Sequence, residues 1–126
     1  MSALVLDAGA LIAVDRGDRA AMARLAVAAE SGVGLRTNPM VVAQVWRGGG
    51  RAANLARVLA ATQVAALDEA AGRAAGELCG AAGTSDPIDA SLALLAEPGD
   101  WILTSDPDDI ERLVEARGAA ASIVRV

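Results

Sequence analysis

Short apolar runs alternate with helix-length segments along this chain, and that alternation restricts its fold more than any other feature. Ala3-Leu4-Val5-Leu6 reads as a strand buried on both faces, and Ala8 to Val14 follows as a short helix. Asp18 caps a second helix through about Ala29, with Met22, Leu25, Ala26 and Ala29 as its apolar stripe. Leu35-Arg36-Thr37 is a second strand. Asn38-Pro39 opens a third helix that runs to Gly48-Gly49-Gly50, and Arg51 to Ala61 forms a fourth. Gln63 to Leu67 is a strand, Asp68 begins a helix through about Ala82, and Pro87 to about Glu97 is another. Strand Trp101–Thr104, a helix ending at Arg117 and strand Ser122–Val126 follow. This order predicts an α/β fold, a parallel sheet covered by helices on both faces, in one domain spanning residues 1–126.

Within that frame one pattern occurs twice. Thr84-Ser85-Asp86-Pro87-Ile88-Asp89 and Thr104-Ser105-Asp106-Pro107-Asp108-Asp109 both read T-S-D-P-x-D. Each is a well-made helix start, with a capping Ser or Asp, Pro at the first helical position and Asp in the first turn. Each also supplies carboxylates. In an open parallel sheet, ligands bind beyond the carboxyl ends of the strands, near the switch in strand order. Asp7 follows the first strand and Asp106 follows Trp101–Thr104, so both are expected at that rim. Should the turn carrying Asp86 and Asp89 lie there too, three or four carboxylates converge. Like charges so crowded raise one another's pKa values, and Mg2+ or Mn2+ relieves the repulsion. For Asp86 and Asp109, capping and chemistry stand equally open.

Composition removes most other chemistries. With no His, Ser-His and Cys-His catalysis and the usual zinc sites are excluded. All 11 basic residues are Arg, and the absence of Lys rules out P-loop and Schiff-base chemistry. A dinucleotide fingerprint is missing after the first strand, where Asp7-Ala8-Gly9-Ala10 stands. A phosphatase of the haloacid-dehalogenase type would need a second Asp at Gly9. Carboxylates, hydroxyls and guanidinium groups remain, and carboxylates holding a hard cation are the natural means of catalysis. The formal net charge of −5 argues against nucleic-acid binding through a basic surface, yet permits a nuclease whose metal ions neutralise phosphate locally. Cys79 alone forms no intramolecular disulfide and reads as a small core residue. No uninterrupted apolar stretch approaches the ~18 residues of a membrane span, and Met1 leads directly into a strand without a basic region, so a cytoplasmic location is expected.

Four stretches together resemble the PIN-domain ribonucleases, specifically the VapC-like toxins of type II toxin–antitoxin pairs. Val5 to Ala13 is similar to the family's first acidic motif, and Val41 to Gly48 to its second. Asp86-Pro87-Ile88-Asp89-Ala90 matches the third, with Asp89 at the metal position, and Ile102 to Asp106 matches the fourth. The resemblance implies a three-layer α/β/α fold with a parallel sheet of about five strands. It further implies Mg2+-dependent cleavage of tRNA or rRNA, with Asp7, Asp89 and Asp106 holding the cation. A cognate antitoxin and a homodimer belong to the same expectation.

One position departs from the family pattern: Gln44 stands where the second motif carries Glu. Gln can hydrogen-bond a metal-bound water but cannot serve as a carboxylate base. This implies a weaker site, a rearranged one to which Asp86 or Asp109 contributes, or a silent binding module. Arg47, Arg51 and Arg57 flank the glycine run as candidates for RNA phosphate contact, with a solvated helix face as the alternative. Met22, Leu25, Met40, Val45 and Trp46 are expected in the core, or on a dimer or antitoxin surface.

Overall fold

The computed structural model describes residues 2–49 and 52–126; Arg51 and Gly50 lie outside the described residues, as does Met1. Five parallel strands form one sheet: β1 (Ala3–Leu6), β2 (Gly34–Thr37), β3 (Thr62–Val64), β4 (Trp101–Thr104) and β5 (Ser122–Arg125), in the order β3-β2-β1-β4-β5. Seven described helices surround it: α1 (Ala8–Asp15), α2 (Arg19–Glu30), α3 (Pro39–Val45), α4 (Ala53–Ala60), α5 (Glu69–Ala82), α6 (Pro87–Ala93) and α7 (Pro107–Arg117). Helix α1 packs on α2, α3 and α4, while α5, α6 and α7 pack on one another. The result is a three-layer α/β/α fold. Among the described residues, no helix is long and apolar enough to cross a membrane.

All four residues of β1 are buried, as expected of a central strand with helices on both faces. Leu6, Leu11, Leu92, Ile102, Leu103, Ile110 and Leu113 are fully enclosed and join the two helical layers through the sheet. Truncating any of these leucines to Ala should cost about 2–5 kcal/mol. Cys79 packs against this core, half-buried, as expected.

Three elements end earlier than the sequence suggests. Helix α3 stops at Val45, and Trp46 takes an extended backbone (ψ 124°) rather than continuing to the glycines. Gly48 and Gly49 both adopt positive φ, a backbone conformation through which no right-handed helix continues. Strand β3 ends at Val64 instead of Leu67. Among the described residues it is an edge strand whose one neighbour, β2, ends at Thr37, leaving Leu67 no ladder to join. Helix α6 ends at Ala93 rather than near Glu97, and the Arg117 guanidinium binds the carbonyls of Ala93 and Ala96 there. Met22, Met40 and Trp46 are exposed, whereas Leu25 and Val45 pack against the core.

Candidate metal centre

The chain passes from β1 outward to β2 and β3, then returns across the sheet to β4 and outward again to β5. The switch in strand order therefore falls between β1 and β4, and open parallel sheets bind ligands beyond the carboxyl ends of strands so placed. Asp7 emerges from β1 there and Asp106 from β4.

Asp7 is 5% exposed and holds three donors. Oδ1 accepts the Ala10 N–H at 2.7 Å, capping α1. Oδ2 accepts the Thr104 hydroxyl at 2.5 Å and the Ser105 N–H at 3.1 Å. Thr104 Oγ1 in turn accepts the Asp106 N–H at 2.9 Å, so one hydroxyl links the first strand's acid to the fourth strand's. Burial raises the Asp7 pKa above the ordinary carboxylate value; the three donors oppose that rise and the Asp106 charge adds to it. Gly9 makes the arrangement possible. A Cβ there would stand 2.0 Å from Ser105 Oγ, so α1 and the β4–α7 turn approach this closely only because the residue has no side chain.

The two hexapeptides part company in three dimensions. Asp86 is a cap: its Oδ1 accepts the N–H groups of Ile88 and Asp89 at 3.0 and 3.1 Å. Asp106, at the matching position before α7, makes no side-chain cap hydrogen bond. Its carboxylate instead joins Asp89 and Asp109, the three offering oxygens within 4.8 Å of one another. The repeat thus contributes its last Asp from both copies and its first from one.

Asp89 carries the electrostatic consequence. Its pKa is pushed up to about 7, first by burial and then by the charges of Asp86, Asp7, Asp106 and Asp109. Helix α6 is held in place from below, because Asn38 Nδ2 donates to Ser91 Oγ at 2.9 Å and Ser91 Oγ donates to the Ile88 carbonyl at 2.6 Å. Asn38 also caps α3 through Met40 and Val41, so one buried side chain joins the ends of β2, α3 and α6. A cleft of about 350 Å3 adjoins the cluster, bounded by Gly83–Asp86 and Asp89 on one side and Asp109, Arg112 and Leu113 on the other.

Of the residues singled out from sequence, Asp89, Asp106 and Asp109 come together and Asp7 stands close enough for its charge to act on Asp89. Gln44 is exposed on α3 and is not a hydrogen-bond partner of these carboxylates. Arg47 folds back onto the Ala43 and Trp46 carbonyls, at 3.2 and 3.0 Å, closing the end of α3. Arg57 lies exposed on α4, and Arg51 falls outside the described residues. Sequence reasoning missed Gly9, the Asn38–Ser91 bond and Arg112. Only Gly9 carried a local signal, a glycine within the first turn of a helix directly after an acid.

No protein-family model matches the chain, and no curated protein matches it.

Proposed function

We propose that this protein is a divalent-cation-dependent endoribonuclease of the PIN-like, VapC-like kind. One observation carries the reading: Asp89, Asp106 and Asp109 offer oxygens within 4.8 Å of one another at the switch in strand order, beside buried Asp7. The donor set fits a hard cation. It is composed of carboxylate oxygen, and no guanidinium forms an ion pair with any of these acids among the described residues. Burial first, and then the charges of the neighbouring aspartates, raise the Asp89 pKa, and a bound cation would favour its charged form against both.

In this reading Asp89, Asp106 and Asp109 hold Mg2+ or Mn2+. Asp7 has used three of its roughly four lone-pair sites, two on Oδ2 and one on Oδ1, which leaves one on Oδ1. The cation would supply Lewis-acid activation of water and stabilise charge on the phosphoryl oxygens. Thr104 fixes Asp7 and the Asp106 backbone in one register, so the ligands are positioned before substrate arrives. Asp109, in the cluster where exposed Gln44 is not, supports a rearranged acid set in place of the family's Glu. An antitoxin partner, a homodimer and a tRNA or rRNA target belong to the same proposal through the four-motif resemblance.

The test is cleavage of bulk tRNA and rRNA by purified protein in Mg2+ or Mn2+. Loss of cleavage in excess EDTA, and in the double variant Asp7→Asn/Asp89→Asn, is the expected result. Persistence under either condition overturns the reading. The competing reading, RNA or antitoxin binding without cutting, is separated by Gln44→Glu: a large gain of cleavage marks the natural site as impaired, whereas no change marks a site complete without that acid.

A further inference from the structure

Arg112 stands apart from the protein's other arginines. Among the described residues it is the only basic one lining the cleft beside the carboxylate cluster, one helical turn beyond Asp109 on α7. An arginine whose task is to neutralise an acidic site pairs with it, as Arg36 does with Asp100 at 3.2 Å on the opposite rim. Arg112 forms no ion pair within 4.0 Å among the described residues, although Asp86, Asp89 and Asp109 share its cleft. Arg112 thus lines the cleft with its guanidinium donors uncommitted to any ion pair among the described residues. A planar fork of N–H donors matches the paired non-bridging oxygens of a phosphate.

Resting on the nuclease reading above, we propose that Arg112 is the phosphate-positioning residue of this site, seating an RNA phosphodiester in the cleft between the Gly83–Asp86 turn and α7. The cleft, at about 350 Å3, has room for a phosphate and part of its nucleotide. Carboxylates stand on both of its walls, Asp86 and Asp89 on one and Asp109 on the other, and the one guanidinium stands on α7 a turn beyond Asp109. On a protein of formal net charge −5, this guanidinium adds to the attraction that a bound metal ion would exert on a polyanion.

The experiment compares wild type with Arg112→Ala, Arg112→Lys and Arg73→Ala. Arg73 pairs with Glu69 on the solvent face of α5 and controls for loss of one positive charge. Binding of a short fluorescein-labelled RNA of mixed sequence is followed by anisotropy in Ca2+, so that affinity is read without turnover. Mn2+ affinity, melting temperature and cleavage in Mn2+ are measured alongside. Arg112→Ala is expected to weaken RNA binding and raise KM by about tenfold, with kcat changed less than threefold and the salt dependence of binding reduced by about one phosphate contact. Arg112→Lys should recover part of the affinity, and Arg73→Ala should leave it within twofold. Mn2+ affinity should stay the same or tighten in Arg112→Ala. Unchanged RNA affinity, or a loss confined to Mn2+ affinity or melting temperature, overturns the proposal and makes Arg112 a structural counter-charge. Wild type that binds RNA without cutting would defeat the nuclease reading and leave Arg112 testable by anisotropy. Wild type that neither binds nor cuts defeats both.

Discussion

Two buried aspartates mark the two rims of the sheet, and they are compensated differently. Asp100 precedes β4 at the amino rim, 2% exposed, and accepts the Ala3 N–H at 2.7 Å and the Glu97 N–H at 2.8 Å. Asp7 follows β1 at the carboxyl rim and likewise accepts two backbone N–H groups. The third partner separates them. Asp100 has the Arg36 guanidinium, itself anchored on the Leu95 carbonyl, whereas Asp7 has the neutral Thr104 hydroxyl. Around Asp100 the charge is closed; Asp7 instead has the Asp106 charge beside it, and Asp106 clusters with Asp89 and Asp109. The amino rim is built for stability, and the carboxyl rim keeps a charge deficit that a protein optimised for folding alone would remove.

That contrast is broken most severely by activity measurements at the carboxyl rim. Asp106→Asn should reduce RNA cleavage by about 100-fold or more, the scale of losing one group that organises transition-state charge, while circular dichroism stays native. A folded Asp106→Asn variant with undiminished cleavage would remove the acid from the site. At the amino rim, Asp100→Ala should instead act on stability. It strands Arg36 and two N–H groups, costing about 3 kcal/mol or more in denaturant unfolding. A loss under 1 kcal/mol would show that this rim does not depend on the pair.

Gly9→Ala tests the junction between β1 and β4. The added methyl must displace Ser105, at a cost of about 1–3 kcal/mol, and cleavage should fall with it because the Ser105 N–H leaves Asp7. The smallest effect has the opposite sign. Asp89→Asn should stabilise the metal-free protein by about 1 kcal/mol, a few degrees in melting temperature, because a charge that is partly buried and repelled by its neighbours is gone. The pH dependence follows from the same residue. A carboxyl raised from 3.8 to about 7 on folding contributes most below its unfolded value, and that contribution is lost as pH rises toward 7. Metal-free wild type should therefore melt lower at pH 8 than at pH 5, with the difference reduced in Asp89→Asn and by added Mg2+. Melting curves that ignore both pH and Mg2+ would contradict a charge deficit at this rim.

Much of this architecture was legible before any coordinates. Asp7, Asp18, Asn38, Asp68 and Asp86 all cap helices through side-chain bonds to backbone N–H groups two or three residues on. A cap is a local interaction, and local interactions leave local patterns. Strand β1 was equally clear, since a strand buried on both faces must be continuously apolar. The ends of β3 and α6 were not, because a strand partner stopping at Thr37 and a guanidinium arriving from Arg117 are both supplied from elsewhere in the chain.

The hexapeptides show where that boundary falls at the site. By itself the sequence determined two Pro-initiated helices with acids in their first turns, and an acid at the end of the first strand. Only the tertiary structure decided that Asp86 would be spent on capping while Asp106 would not, and that Asp109 would join Asp89. The order β3-β2-β1-β4-β5 sets β1 beside β4, and the Thr104 hydroxyl then ties Asp7 to the Asp106 backbone across residues 97 positions apart. No periodicity encodes a contact at that separation, because it arises from strand order and packing rather than from the conformational preference of either segment.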